Sequence, residues 1–197
     1  MDTDIKNRDI QLLVLACSAG GIALIQKILA SLHKDFPIPV IAVVHRGGHV
    51  MSALEKILQV HCTIRVKEAE EKEILQPSTV YFAPGGYHLL IEKDHSLSLD
   101  VSEPVKYCRP SIDVTLQSAV DVFGSNMAAV LLSGANDDGA DGMMSVSKAG
   151  GLTIVQNPED AEVDVMPRAA LNRTMIDFML NGDELVQRIK DIRSLGG

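Results

Sequence analysis

Tryptophan is absent from this 197-residue chain, and aromatic residues make up only 4% of it. So sparse a set leaves no platform on which single-stranded nucleic acid could stack its bases. Basic residues are outnumbered. Eighteen Lys and Arg against 26 Asp and Glu give a net charge of −8, the wrong sign for a surface that neutralises phosphates. No apolar run approaches the length of a membrane span. The opening Met1-Asp2-Thr3-Asp4 is polar and acidic, unlike a signal peptide. Cysteine is scarce too. Cys17, Cys62 and Cys108 are an odd number at wide spacing, fitting neither a zinc motif nor a disulfide framework. A reducing, cytoplasmic setting follows as the expectation.

What the chain does have is apolar content, 46% of residues, with a slightly positive mean hydropathy. That excludes disorder and suits one domain, residues 1–197, with a sizeable core. Continuous apolar runs alternate with helical patterns. Residues 11–17, 39–44 and 127–132 read as buried strands, 152–155 as a fourth, and 64–66 as a short one. Helices are expected at about 20–32, 51–58, 111–123, 138–149, 168–173 and 183–193. Unbroken apolar strands belong to a parallel sheet covered on both faces. In the middle, residues 79–83 and 87–91 flank Pro84-Gly85-Gly86 and read as a hairpin, joined by the alternating strand 96–101. The class is α/β: a doubly wound, mainly parallel sheet with an antiparallel hairpin insertion.

Three of the apolar strands end in a reactive residue. The first ends at Ser18, before Gly20-Gly21; the second at His45; the strand 127–132 runs out into Asp137-Asp138-Gly139. Open parallel sheets form their sites at the carboxyl ends of strands, so the three endings share one rim. Serine becomes a nucleophile when a base takes its proton, and a carboxylate can orient a histidine for that task. Taken singly, each residue also fits a plainer role: Ser18 as a helix N-cap, His45 as a polar loop residue, Asp137-Asp138 as an acidic helix start. His49 is a more distant substitute for the base, and His88 could line the same cleft. Gly-x-Ser-x-Gly is missing, and so is the Gly-x-Gly-x-x-Gly of dinucleotide-binding domains. Asp137, Asp138 and Asp141 lack convergent partners for Mg²⁺. No cofactor and no metal are expected.

The ordered motifs carry a resemblance. Ser18-Ala19-Gly20-Gly21, His45 after a strand, Lys67-Glu68-Ala69-Glu70, Tyr81-Phe82-Ala83-Pro84-Gly85, Arg109-Pro110-Ser111-Ile112-Asp113, Leu132-Ser133-Gly134 through Asp138-Gly139-Ala140, and Met166-Pro167-Arg168-Ala169-Ala170 occur in sequence. Together they resemble the catalytic domain of the chemotaxis-protein methylesterase family (CheB). The resemblance implies a Ser-His-Asp triad of Ser18, His45 and Asp138, and an oxyanion hole from the backbone N–H groups of Ala19 and Ala135. It implies substrate-binding roles for Arg109 and Arg168. The implied activity is hydrolysis of glutamate γ-methyl esters on the cytoplasmic helices of methyl-accepting chemotaxis receptors, with deamidation of receptor glutamines beside it. Neither nucleic acid nor membrane insertion is implied. The family's receiver domain has no counterpart before the first strand, so a stand-alone form is expected. Asp164-Val165 replaces the family's usual Phe-Gly, and Arg46 follows the base. Those departures leave two alternatives: an esterase or amidase with a substrate outside chemotaxis, or a non-catalytic receptor-binding module.

Overall fold

A strand buried on both faces reads as a nearly continuous apolar run, and β1 (Leu12–Cys17) and β2 (Val40–Val44) are apolar and buried throughout. The computed structural model describes residues 8–45 and 54–192. After β1 come α1 (Ile22–Ser31), β2, α2 (Leu54–His61), β3 (Arg65–Glu68) and β4 (Thr79–Phe82). They are followed by β5 (His88–Ile91), β6 (Leu97–Asp100), α3 (Ile112–Phe123), β7 (Met127–Leu131) and α4 (Ala140–Lys148). The chain continues with β8 (Leu152–Gln156), α5 (Val165–Arg173), β9 (Phe178–Leu180) and α6 (Gly182–Lys190). Seven strands form one sheet in the order β3-β4-β2-β1-β7-β8-β9, and all its pairings are parallel.

Alternation along β1 sorts the core into two layers. Leu13, Leu15 and Cys17 face Ile25, Ile28 and Leu29 of α1 and Leu185 and Ile189 of α6. Leu12, Val14 and Ala16 face Leu116 and Ala119 of α3 and Met143 and Val146 of α4. Each large aliphatic side chain buried in this way contributes about 1.5–3 kcal/mol relative to exposure. The sheet is wound in both directions from β1. The chain first builds β2, β4 and β3 on one side, then returns to place β7, β8 and β9 on the other. The loops after β1 and β7 therefore diverge at a topological switch point, where α/β sheets bind their ligands.

One expectation is corrected. Residues 79–83 and 87–91 do not pair as a hairpin. β4 lies inside the main sheet, parallel to β2 and β3, while β5 pairs antiparallel with β6 as a separate two-stranded sheet. All four β4 residues are buried, which suits an interior parallel strand better than half of a solvated hairpin. Pro84-Gly85-Gly86 leads the chain out of the sheet, and the tight turn comes later, where His95 takes φ +65° and Glu92 N–H donates to the Ser96 carbonyl at 2.8 Å. β9 has no counterpart in the sequence expectation. α5 starts at Val165 rather than 168, because Met166 and Pro167 are buried and proline is compatible with a first helical turn. The expected helix start at 51–53, with Arg46 and His49, lies outside the described residues.

Candidate active site

The turn after β1 is closed by two backbone bonds. Ser18 N–H donates to the Ser133 carbonyl at 2.9 Å, and the Ser18 carbonyl accepts from Gly21 N–H at 3.3 Å. Gly20 has φ +78°. A Cβ there would stand 2.7 Å from Glu162 Cβ and 2.8 Å from Ser133 Oγ, so backbone and space both demand glycine. α1 is capped by Gly21 with no side-chain bond. Ser18 is therefore not the N-cap that its position allows, and among the described residues its hydroxyl has no hydrogen-bond partner.

β1 and β2 run in register, with Cys17 opposite Val44, and His45 N–H donates to the Cys17 carbonyl at 3.2 Å. Ser18 and His45 thus leave the same edge of the sheet side by side. Asp138 arrives from the loop after β7, the strand flanking β1 on its other side. His45 Nε2–H donates to Asp138 Oδ2 at 2.7 Å. The Asp138 side chain is 0% exposed and that of His45 10%.

Asp138 is held by more than histidine. Oδ2 also accepts from Ile112 N–H at 2.7 Å, and Oδ1 accepts from Ser111 Oγ–H at 2.8 Å and Asp113 N–H at 3.1 Å. These donors form the N-terminus of α3, whose free N–H groups and dipole favour an anion. Burial pushes the Asp138 pKa up, but the bonds from His45, Ile112, Asp113 and Ser111 outweigh it and hold the carboxyl below its ordinary range. An ionised carboxylate only accepts, so the His45 proton stays on Nε2 and Nδ1 keeps its lone pair. Asp113 returns the service: its Oδ1 accepts from Gly139 N–H and Gly142 N–H, each at 2.8 Å, at the start of α4. Burial raises the Asp113 pKa against the opposing pull of Lys106.

The other sequence assignments divide. The N–H groups of Ala19 and Ala135 have no hydrogen-bond partner among the described residues, which leaves two donors on the rim. Arg109 spends Nη1 on the carbonyls of Val101 and Ser102, at 2.7 and 2.9 Å. Arg168 pairs with Asp164 at 2.6 Å and Glu159 at 2.8 Å. Asp164 is thus the partner of that arginine. His88 is a correction. It is fully buried, donates from Nε2 to the Glu103 carbonyl at 3.1 Å and accepts at Nδ1 from Ser111 N–H at 3.2 Å. Its strand belongs to the separate hairpin packed on α3, so it stands behind Ser111 rather than lining a cleft. The acids Asp137 and Asp141, with Asp113, surround Lys106 Nζ at 3.5, 3.0 and 2.8 Å, so a cation already occupies that cluster.

The sequence pattern gives Cys108 no place in the site, yet the fold brings it there. Its Sγ is 3.5 Å from His45 Nδ1 and accepts from Asn136 Nδ2–H at 3.1 Å. It is delivered by a tight turn in which Val105 and Cys108 exchange backbone bonds of 3.1 and 2.8 Å. The two residues between them, Lys106 and Tyr107, take φ +49° and +64°. Neither is a glycine, so the pattern carries no turn signal. Ser133, too, gains its role only in the fold. Its hydroxyl donates to the Ala19 carbonyl at 2.7 Å and accepts from Val163 N–H at 2.9 Å, tying the turn after β1 to the loop before α5.

Comparison with known proteins places the chain among its relatives. A protein of Leptospira interrogans named for protein-glutamate methylesterase and protein-glutamine glutaminase activities is 42% identical over 175 residues, covering 89% of this chain and 91% of its own length. The protein-glutamate methylesterase/protein-glutamine glutaminase of Caldanaerobacter subterraneus is 40% identical over 167 residues, covering 81% of this chain and 45% of the relative. The crystal structure of the Thermotoga maritima CheB methylesterase catalytic domain superposes with a TM-score of 0.88 at 29% identity, covering 93% of this chain and 99% of that one. The sequence profile of the CheB methylesterase family matches residues 13–189, and the chain belongs to that family.

Proposed function

We propose that this protein is a serine hydrolase that removes methyl groups from glutamate γ-methyl esters on the cytoplasmic helices of methyl-accepting chemotaxis receptors. The observation that carries the reading is the 2.7 Å bond from His45 Nε2 to the fully buried Asp138, which leaves Nδ1 as an acceptor beside the end of β1. Ser18 Oγ attacks the ester carbonyl and its proton passes to His45 Nδ1. Asp138 steadies the imidazolium through Nε2–H. The tetrahedral oxyanion takes hydrogen bonds from the N–H groups of Ala19 and Ala135. Collapse expels methanol, which leaves with the proton from His45. Water, deprotonated by His45, then attacks the acyl-enzyme and releases the glutamate carboxylate, and Ser18 regains its proton.

A glutamine side chain offers the same carbonyl with ammonia as the leaving group, so deamidation belongs to the same proposal. Arg168 is 51% exposed and flanks the site, where it can exchange Glu159 for an acid on a receptor helix. Arg109 supports the site by holding the Val101–Ser102 carbonyls. One catalytic domain over the chain, working in the cytoplasm, completes the reading. Among the described residues no helix is long and apolar enough to cross a membrane. The Asp138–His45 pair favours catalysis over a module that only binds receptors, since binding needs no oriented base.

The test is methanol release from a methylated receptor fragment. Ser18→Ala abolishes release while circular dichroism reports an intact fold. Full release by that variant removes Ser18 from the mechanism. Ammonia release from receptor glutamines, measured alongside, separates esterase from amidase work.

A further inference from the structure

Nothing in the proposed reaction uses Cys108, yet its sulfur is the one polar contact of His45 Nδ1 among the described residues. We propose that His45 Nδ1 and Cys108 Sγ together form a binding site for a thiophilic divalent cation of the zinc class, and that occupancy switches the hydrolase off.

The separation fits. Tetrahedral zinc bonds sulfur at about 2.3 Å and imidazole nitrogen at about 2.0–2.1 Å, which puts the two donors about 3.6 Å apart. The observed distance is 3.5 Å. The surroundings fit independently. A histidine that binds a metal through one nitrogen usually donates its other N–H to a carboxylate, which fixes tautomer and ring orientation. His45 Nε2–H does so to Asp138 at 2.7 Å, and Asp138 is itself immobilised by Ser111, Ile112 and Asp113. Burial and the nearby carboxylates Asp138 and Asp137 hold the free thiol above its ordinary range, while the Asn136 amide, donating to Sγ at 3.1 Å, pulls the other way. His45, Cys108 and Asp138 are also the group of three among the described residues whose donor atoms lie within 4.8 Å of one another. Asp138 is not a ligand in this arrangement. Both its oxygens already accept, so its part is to orient the histidine. The protein supplies two donors and water fills the remaining positions. When the metal binds, the Cys108 thiol proton passes to the buffer and the sulfur–metal bond forms in its place. The metal also takes the Nδ1 lone pair. The inhibition rests on the proposed role of His45 as base; the site itself does not.

Cobalt(II) titrated into metal-free protein reports the site directly, through a sulfur-to-cobalt charge-transfer band in the near ultraviolet. The wild type and Ser18→Ala give the band, as does Cys62→Ala, while Cys108→Ala and Cys108→Ser do not. Zinc lowers methanol release by the wild type, and EDTA restores it. In each Cys108 variant, normalised to its own EDTA rate, the half-inhibiting zinc concentration rises by at least about tenfold, the smallest loss usual when even an outer partner of a metal is removed. No thiolate band in the wild type, or equal zinc sensitivity with and without Cys108, overturns the proposal. A band that depends on Cys108 in a protein that releases no methanol leaves the metal site standing and refutes the esterase reading instead.

Discussion

Replacing Asp138 by asparagine tests the centre of the site with little change of volume. The carboxylate accepts from four donors: His45 Nε2–H and Ile112 N–H at Oδ2, Ser111 Oγ–H and Asp113 N–H at Oδ1. An amide has one oxygen, so its NH₂ must face one of these pairs. Whichever way it turns, it confronts a backbone N–H at the start of α3, Ile112 in one orientation and Asp113 in the other. A buried donor left without an acceptor costs about 1–3 kcal/mol. Loss of negative charge at a partly buried helix N-terminus removes up to about 2 kcal/mol. A total of about 1–5 kcal/mol does not exceed the 5–15 kcal/mol typical of a folded domain, so Asp138→Asn remains folded with a lowered urea midpoint. Activity suffers more. With NH₂ toward His45, the imidazole must accept at Nε2, its proton moves to Nδ1, and the base toward Ser18 is lost. In serine triads the same exchange lowers kcat by about 10⁴-fold, and under the proposed mechanism the expectation is about 10³–10⁴-fold, or roughly 4–5.5 kcal/mol at 1.36 kcal/mol per decade. Methanol release and urea unfolding are measured on one preparation. A folded variant that keeps more than about a tenth of the wild-type kcat, less than one decade of loss, refutes the assignment of Asp138 as the group that orients the base.

The pH dependence of the same pair follows from the lowered carboxyl pKa. A depressed folded pKa contributes stability that is full above the unfolded value, about 3.9, and lost as pH falls through the folded one. The urea-midpoint advantage of wild type over Asp138→Asn is therefore level near neutrality and shrinks only in acid; shrinkage already near pH 7 contradicts the shift. Two glycines of similar φ separate backbone strain from crowding. Gly86, at +85°, has nothing within 4 Å of a virtual Cβ, whereas Gly20, at +78°, meets Glu162 and Ser133. Gly86→Ala costs only the left-handed strain of about 1–2 kcal/mol and keeps activity, while Gly20→Ala loses more stability and methanol release with it; equal thermal shifts for the two defeat the crowding argument.

Much of this site was legible because its signals are local. A strand buried on both faces must read as an unbroken apolar run, so the ends of β1, β2 and β7 announce themselves, and each end carries its reactive residue within the next few positions. The capping alternative for Ser18 was open in the sequence because a serine before a helix satisfies either role. Its resolution needed the backbone path, which puts Gly21 at the cap. The hairpin error has the same root. Pro84-Gly85-Gly86 marks a change of direction, but a turn signal does not say which strand receives the chain afterwards. β4 went to β2 and β3 because a fully buried strand gains more from two buried neighbours than from one exposed one.

The sequence by itself determined the doubly wound class, the rim on which Ser18, His45 and Asp138 converge, and the family, since all of these follow from periodicity and short motifs in order. Only the tertiary structure decided which nitrogen of His45 meets Asp138 and that the start of α3 holds this carboxylate ionised. It alone brought Cys108, 63 positions away in the chain, to 3.5 Å from His45 Nδ1. Those contacts join segments with no shared pattern. They depend on a turn through two left-handed residues that are not glycine, and on where two helices begin relative to each other. Such distances are set by packing across the sheet, and no local stretch of sequence encodes them.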